Sequence, residues 1–364
     1  MIDRLLWVLQ HPTPYNIYLL NGMERELQVK NEVVYRWEVL PSHPWRNLPA
    51  RHYSHRAVRR PGRRDPLLDW QCGRHEGLVI FVGWRDATVR SALLARLISR
   101  RPYAFWADTP KANLHLSRLI LNHGWSFFGR RAVTTLATGL PAVERYLAMG
   151  IPSNQVDCFP FLVDPDHFAP AVTRRSERSG GDCCRFIICG RLHEEMKGQS
   201  VALRALAEAR RALPQIRLEL VLAGIGEDEP MLRALATELG VGDLVRFIGW
   251  VEYDDLPDRL AEADALVIPS RWDPYPVAVI EAMAAGLPVL GSFVCGTVRE
   301  RVEDGVNGFR HHAGDHRTLA RHLCEVASSP ALRTELGRRA LETSRKWGLE
   351  RSAAVLREVL CRCS

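Results

Sequence analysis

The chain has 364 residues, 46% of them hydrophobic and 25% charged; the length points to two domains or one large one, and the composition excludes a disordered, fibrous or collagen-like chain. The formal net charge is +7 and unevenly placed: residues 1–164 carry 22 Lys and Arg against 13 Asp and Glu, residues 165–364 carry 27 against 29. Only four of the 49 basic residues are lysines, so arginine abundance says less than the asymmetry, which turns the first half toward something acidic, a phosphate-bearing acceptor or an anionic membrane face.

Residues 5–9 form a short apolar run of strand type, ended by Gln10-His11-Pro12-Thr13-Pro14. The run is too short for a signal segment, and no stretch reaches the 18 apolar residues of a membrane span. Nine scattered cysteines fit neither a disulfide framework nor paired zinc-site spacing, so the expectation is a reduced, cytoplasmic protein without a metal centre. Residues 51–64 hold six arginines and no core-building period, and read as a basic loop or partly ordered helix. A second strand is expected at 78–82, a helix through Val89, Leu93, Leu94 and Leu97, and a third strand at 103–106.

Residues 165–184 are polar, rich in Pro, Arg, Ser and Gly, and read as a linker. After it a second rhythm starts, with strands at 185–189, 217–223, 244–248, 265–269 and 288–291. Helices are expected at 198–213, 230–239, 256–263 and 276–285, and an amphipathic helical stretch from Arg317 to the end. Such alternation predicts α/β architecture with two doubly wound parallel sheets in tandem: residues 1–164, then 185–344, with 345–364 as a helix crossing back to the first domain.

In open α/β sheets ligands gather at the carboxyl ends of the strands, where loops lead into helix N-termini. Gly190-Arg191-Leu192-His193-Glu194-Glu195-Met196-Lys197-Gly198 falls at such an edge. It places two cations six residues apart, which suits a diphosphate and equally describes a turn with surface charges. Asp273 falls on a strand-to-helix loop and Glu281 eight residues on, about 7.5 Å along the helix from Pro276. Two acids so spaced suit different hydroxyls of one extended molecule. An acid among Val279, Ile280, Ala282 and Met283 is costly unless paired, so the alternative for Glu281 is a helix-face residue held by an arginine.

Ordered pieces extend this pattern: Gly190-Arg191-Leu192…Lys197-Gly198, Gly224-Ile225-Gly226, Phe247-Ile248-Gly249-Trp250-Val251, Asp273…Glu281, Ala285-Gly286-Leu287-Pro288-Val289 and Glu303-Asp304-Gly305…Asn307-Gly308-Phe309. Together they resemble the C-terminal domain of a retaining glycosyltransferase of family 4, with the GT-B fold of two Rossmann-like domains and an interdomain cleft. The resemblance implies that Arg191 and Lys197 hold the diphosphate of a nucleotide-sugar donor, UDP- or GDP-linked, with the helix from Pro276 and Val277 aimed at the same phosphates. It implies Glu281 on the ribose, Asp273 on the transferred sugar, Val251 lining the base pocket beside Gly224 and Gly226, and transfer without a metal. The first domain would take a hydroxyl acceptor, phosphorylated, lipid-linked or a small natural product, and its basic character allows peripheral contact with the inner membrane face. Surface polysaccharide or glycoconjugate assembly is the implied setting.

The chain departs from the family pattern in places. The first acid is Asp rather than Glu, Pro276 lacks an N–H, Thr13-Pro14-Tyr15-Asn16 stands where a Gly-Gly loop is usual, and Cys295-Gly296 replaces a frequent Gly-Gly. Tyr15 and Asn16 are therefore the first-domain candidates near the donor. Asp108 stands near the place of the family's first-domain histidine, or caps the next helix. A sugar phosphorylase and a catalytically silent partner of the same fold remain open. Nucleic acid is excluded as a partner, because the basic stretch lacks aromatic interleaving or a known motif.

Overall fold

After Arg4 the first run is apolar throughout, as a strand covered on both faces requires. In the computed structural model, which describes residues 3–40, 43–83, 86–110, 124, 127–177 and 183–363, β1 (Arg4–Leu9) sits inside a seven-stranded sheet. Its Leu5, Trp7 and Leu9 enter one core and its Leu6 and Val8 the other, divided by the two-residue period of a strand.

The chain separates into two compact units, residues 1–162 with 348–364 and residues 163–347. The first sheet also contains β2 (Lys30–Tyr35), β3 (Ser54–Ala57), β4 (Leu78–Phe81), β5 (Tyr103–Ala107), β6 (Thr134–Ala137) and β7 (Val156–Cys158). It runs β3-β2-β1-β4-β5-β6-β7, every pair parallel. Helix α1 (Pro14–Leu27) and the terminal helix Leu349–Cys361 cover one face; α2 (Pro66–Arg74) and α3 (Ala87–Ile98) cover the other.

The second unit holds β8 (Cys183–Cys189), β9 (Arg217–Ala223), β10 (Val245–Gly249), β11 (Ala265–Ile268), β12 (Val289–Ser292) and β13 (Gly308–His311). They form a parallel sheet ordered β10-β9-β8-β11-β12-β13. Each sheet reverses its strand order once, between β1 and β4 and between β8 and β11, and such reversal points are where doubly wound folds bind ligands.

Two expectations are corrected. The segment expected as a linker contains the helix Pro165–Glu177, grouped with the second unit, while 178–182 lie outside the described residues. Its polar composition concealed one apolar side: Phe168 and Ala171 are buried three residues apart. The basic stretch 51–64 includes β3, paired parallel to β2 from Glu32↔Ser54 to Tyr35↔Ala57. As an edge strand it needs no apolar alternation, and Arg56 is held by Gln71 at 2.6 Å and by Asp65 at 3.6 Å.

Candidate functional site

At the reversal point of the second sheet, the loop after β8 lies against the loop after β11. Arg271 and Trp272 donate their N–H groups to the Met196 carbonyl at 2.8 and 3.0 Å, and the Arg271 guanidinium reaches Glu194 at 3.2 Å. Glu194 accepts from the N–H and hydroxyl of Ser200 at 2.9 and 2.5 Å. This stitching brings Lys197 Nζ to 2.5 Å from Asp273 Oδ2. The Asp273 side chain is 8% exposed and that of Lys197 29%, so a buried acid is neutralised by a cation that still meets solvent.

Arg191 is differently placed. Its side chain is 45% exposed and only 3.4 Å from Glu227, while its carbonyl is fixed by Gln199 Nε2 at 2.8 Å. The backbone is held and the guanidinium remains open to solvent. Gly224 and Gly226 serve close approach: a Cβ at either would collide with the carbonyl oxygen of Gly190 or Leu192. Leu192 N–H donates to the Ile225 carbonyl at 3.0 Å and Gly190 N–H to that of Ala223 at 2.9 Å. The two glycines therefore set the position of the Arg191 loop.

Pro276 is the N-cap of the helix Val277–Ala284, and no side chain caps that end. Its carbonyl accepts from Val279 N–H at 3.2 Å and Thr297 Oγ1 at 3.3 Å. The Pro276 ring offers no acceptor, so the helix's leading amides, beginning with Val277, have no side-chain cap among the described residues, an arrangement that favours an anion. Tyr275 locks the loop from beneath, donating to Glu300 at 3.0 Å and accepting from Arg301 at 2.6 Å. Gly296 is required, since a Cβ there would strike the Pro274 carbonyl oxygen, and Cys295 is fully buried near Asp273.

Glu281 makes no hydrogen bond or ion pair to another described residue, so the arginine partner considered as its alternative is not found among them. Its surface is only partly covered, yet the carboxyl lies deep enough that burial pushes it up to about 7. The buried Cys189 thiol at the end of β8 feels its charge. Val251, half-buried, follows β10 on the same sheet edge. Arg191, Lys197, Asp273, Pro276, Val277, Glu281, Gly224, Gly226 and Val251 thus all lie along the carboxyl ends of the second unit's strands.

In the first unit, Thr13 caps α1 by accepting from Asn16 N–H at 3.2 Å. Tyr15 packs on Phe161 with ring centroids 4.8 Å apart. Asn16 is 9% exposed and its Oδ1 has no hydrogen-bond partner among the described residues. Asp108 is exposed at the end of β5, where its Oδ1 accepts from Thr138 Oγ1 at 2.5 Å and its carbonyl from the Tyr146 hydroxyl at 2.9 Å.

Sequence reasoning missed His11. It is buried just after β1, neither ring nitrogen has a hydrogen-bond partner among the described residues, and burial, then His43 and Arg36, push its pKa down to about 4. Arg36 at the end of β2 pairs with Asp86. The available signal was a histidine two residues after a buried strand, where it had served only as part of a strand terminator.

Comparison with known proteins bears on this geometry. Residues 173–343 match the family model for glycosyl transferases group 1. The chain is 34% identical over 208 residues to D-inositol 3-phosphate glycosyltransferase of Streptomyces avermitilis, covering 54% of this chain and 44% of that protein. It is 33% identical over 213 residues to D-inositol 3-phosphate glycosyltransferase 2 of Catenulispora acidiphila, covering 55% and 49%. The matches thus span about half the length of these curated relatives. Among solved structures, Anabaena HepE in complex with UDP superposes with a TM-score of 0.79 at 18% identity, covering 98% of this chain and 99% of that one. The same protein with UDP-glucose gives 0.78 at 19% identity, with the same coverage. The match to glycosyl transferases group 1 is thus confined to residues 173–343, in a chain whose two Rossmann-like units have the GT-B fold.

Proposed function

We propose that this protein is a retaining, metal-independent glycosyltransferase that moves a sugar from a nucleoside-diphosphate-sugar to a hydroxyl acceptor. The observation that carries the reading is the cluster at the second sheet's reversal point: the Lys197–Asp273 pair, the solvent-facing Arg191, the uncapped helix start and the unpaired Glu281. UDP is the favoured nucleotide because HepE, which shares the fold, was solved with UDP and with UDP-glucose.

In this reading the donor diphosphate lies on Arg191, Lys197 and the amides from Val277, and Glu281 takes the ribose hydroxyls. Asp273, giving up part of its hold on Lys197, accepts from hydroxyls of the transferred sugar. The bond from the anomeric carbon to the phosphate oxygen breaks as the acceptor oxygen bonds to the same face of that carbon. The acceptor proton passes to the departing phosphate, whose growing charge the two cations and the helix amides stabilise. His11 after β1 and Asn16 in the first turn of α1, each with a buried polar atom lacking a hydrogen-bond partner among the described residues, are assigned to the acceptor, with Tyr15 and Asp108 as further first-unit candidates. The basic first half and the relatives' name favour an acceptor that bears phosphate. We place the reaction in the cytoplasm, in glycoconjugate or polysaccharide assembly.

The test is a thermal-shift panel of UDP, GDP, ADP and inorganic phosphate, each in EDTA, followed by transfer from the donor whose diphosphate binds. At 100 times its Kd the correct diphosphate stabilises the protein by about 2.7 kcal/mol. A response to phosphate alone points to a phosphorylase. Silence throughout overturns the reading.

A further inference from the structure

The outer face of the α2/α3 pair combines features the reaction does not use. The two helices are packed at Gly73, where an added Cβ would stand in ordinary contact with Ala95 of α3, at 3.8–3.9 Å. They run the same way: Thr88 at the start of α3 bonds the Arg63 carbonyl just before α2, and Arg101 after α3 bonds the Arg74 carbonyl at the end of α2. Leu68 and Cys72 of α2, like Val89, Ala92 and Leu93 of α3, turn into the core.

The opposite side of each helix carries large apolar groups in water. Leu67 and Trp70 of α2 are 51% and 57% exposed, and Leu94 and Ile98 of α3 are 57% and 73% exposed. Spacings of three and four residues make each pair one stripe, and the packing sets the stripes side by side. The Arg74 guanidinium lies 5.6 Å from the Trp70 ring, a stacked cation at the patch margin.

Charge surrounds these stripes. Residues 59–101 contain ten arginines and four acids. Three of the acids, Asp65, Asp69 and Asp86, are already paired with Arg56, Arg64 and Arg36. Exposed arginines stand at both ends of the helix pair, Arg59, Arg60 and Arg63 before α2 and Arg100 after α3. An apolar centre with a basic margin matches the boundary between headgroups and acyl chains of a bilayer containing anionic lipid. It fits a second copy of the same positive face poorly, and the apolar stripes have no use on nucleic acid.

We propose that the outer face of α2 and α3, with Leu67, Trp70, Leu94 and Ile98 inserted and the flanking arginines on lipid phosphates, docks this protein on an anionic membrane surface. The proposal goes beyond the glycosyl transfer proposed above, which it does not require.

The test is co-sedimentation of the full chain with vesicles of one part phosphatidylglycerol to two parts phosphatidylcholine, against phosphatidylcholine alone, without any donor. The wild type is expected to bind the anionic vesicles, less so as salt rises. The Trp70→Ser/Leu94→Gln double variant should lose more than about tenfold in partitioning, and Arg60→Ser/Arg63→Ser roughly fivefold for each arginine removed. All should keep the wild-type Tm, because these side chains lie in solvent. Failure of the wild type to bind, undiminished binding by the Trp70→Ser/Leu94→Gln variant, or a wild-type dimer that this variant abolishes would each overturn the proposal. The nucleotide panel, run without vesicles, tests the reaction separately.

Discussion

Glu281 is an acid without a partner among the described residues, on an otherwise apolar helix, and its titration follows from that. Its folded-state pKa, near 7, lies above the ordinary glutamate value. The native state therefore keeps a proton that the unfolded chain releases at lower pH. The resulting stabilisation is full below the unfolded pKa and is lost as pH rises through about 7. The stability of the wild type should thus fall between pH 5 and 8 relative to Glu281→Gln, read as the difference between their Tm values. Ribose hydroxyls would favour the ionised form, so donor binding at pH 6.5 should release protons, measurable by calorimetry in buffers of different ionisation enthalpy. The Lys197–Asp273 pair makes a second case. Lys197→Met leaves a buried carboxylate unpaired and should cost about 1–3 kcal/mol of stability. Adding Asp273→Asn should recover part of that loss, and this non-additivity in a double-mutant cycle measures the pair apart from any effect on turnover.

Among the elements, α2 and α3 are joined at their ends by a buried arginine. Arg96 is fully buried and donates to the carbonyls of Pro102, Cys72, His75 and Gly77, gathering the ends of α2 and α3 beside the start of β4. Burial lowers its pKa to about 10, so it stays charged at neutral pH. Arg96→Met has the length but not the donors, and should destabilise the first unit by about 3–5 kcal/mol in urea unfolding. The sequence could not reveal this, because Arg96 stands among many solvent-facing arginines. Elements were legible where burial made them so: β1, β4, β5, β11 and β12 show as apolar runs. Strands β2 and β3 begin or remain polar because they approach the sheet edge. The helix Pro165–Glu177 hid because only one narrow side of it is covered. Of the candidate site, the charged residues could be read from spacing along loops. Their partners could not: the pairing of Lys197 with Asp273 joins positions 76 residues apart.

For the whole molecule, the charge asymmetry of the sequence becomes a difference between units, with the basic excess on the first. The first unit is also discontinuous in sequence. Leu349, Ala353, Leu356 and Val359 of the terminal helix join the core formed by Leu19, Leu20 and Met23 of α1, and Gly22 is bare where Leu349 lies against it. Ending the chain at Trp347 should therefore expose that side of α1 and raise hydrogen exchange throughout α1 and β1. Unchanged exchange there would refute this account of the helix. The same arrangement sets an order for the ribosome. At synthesis rates of about 5–20 residues per second, between roughly 15 and 70 s pass from the emergence of α1 to that of its covering helix. The domain begun first is completed last, and in the interval its apolar flank is a natural client for a chaperone.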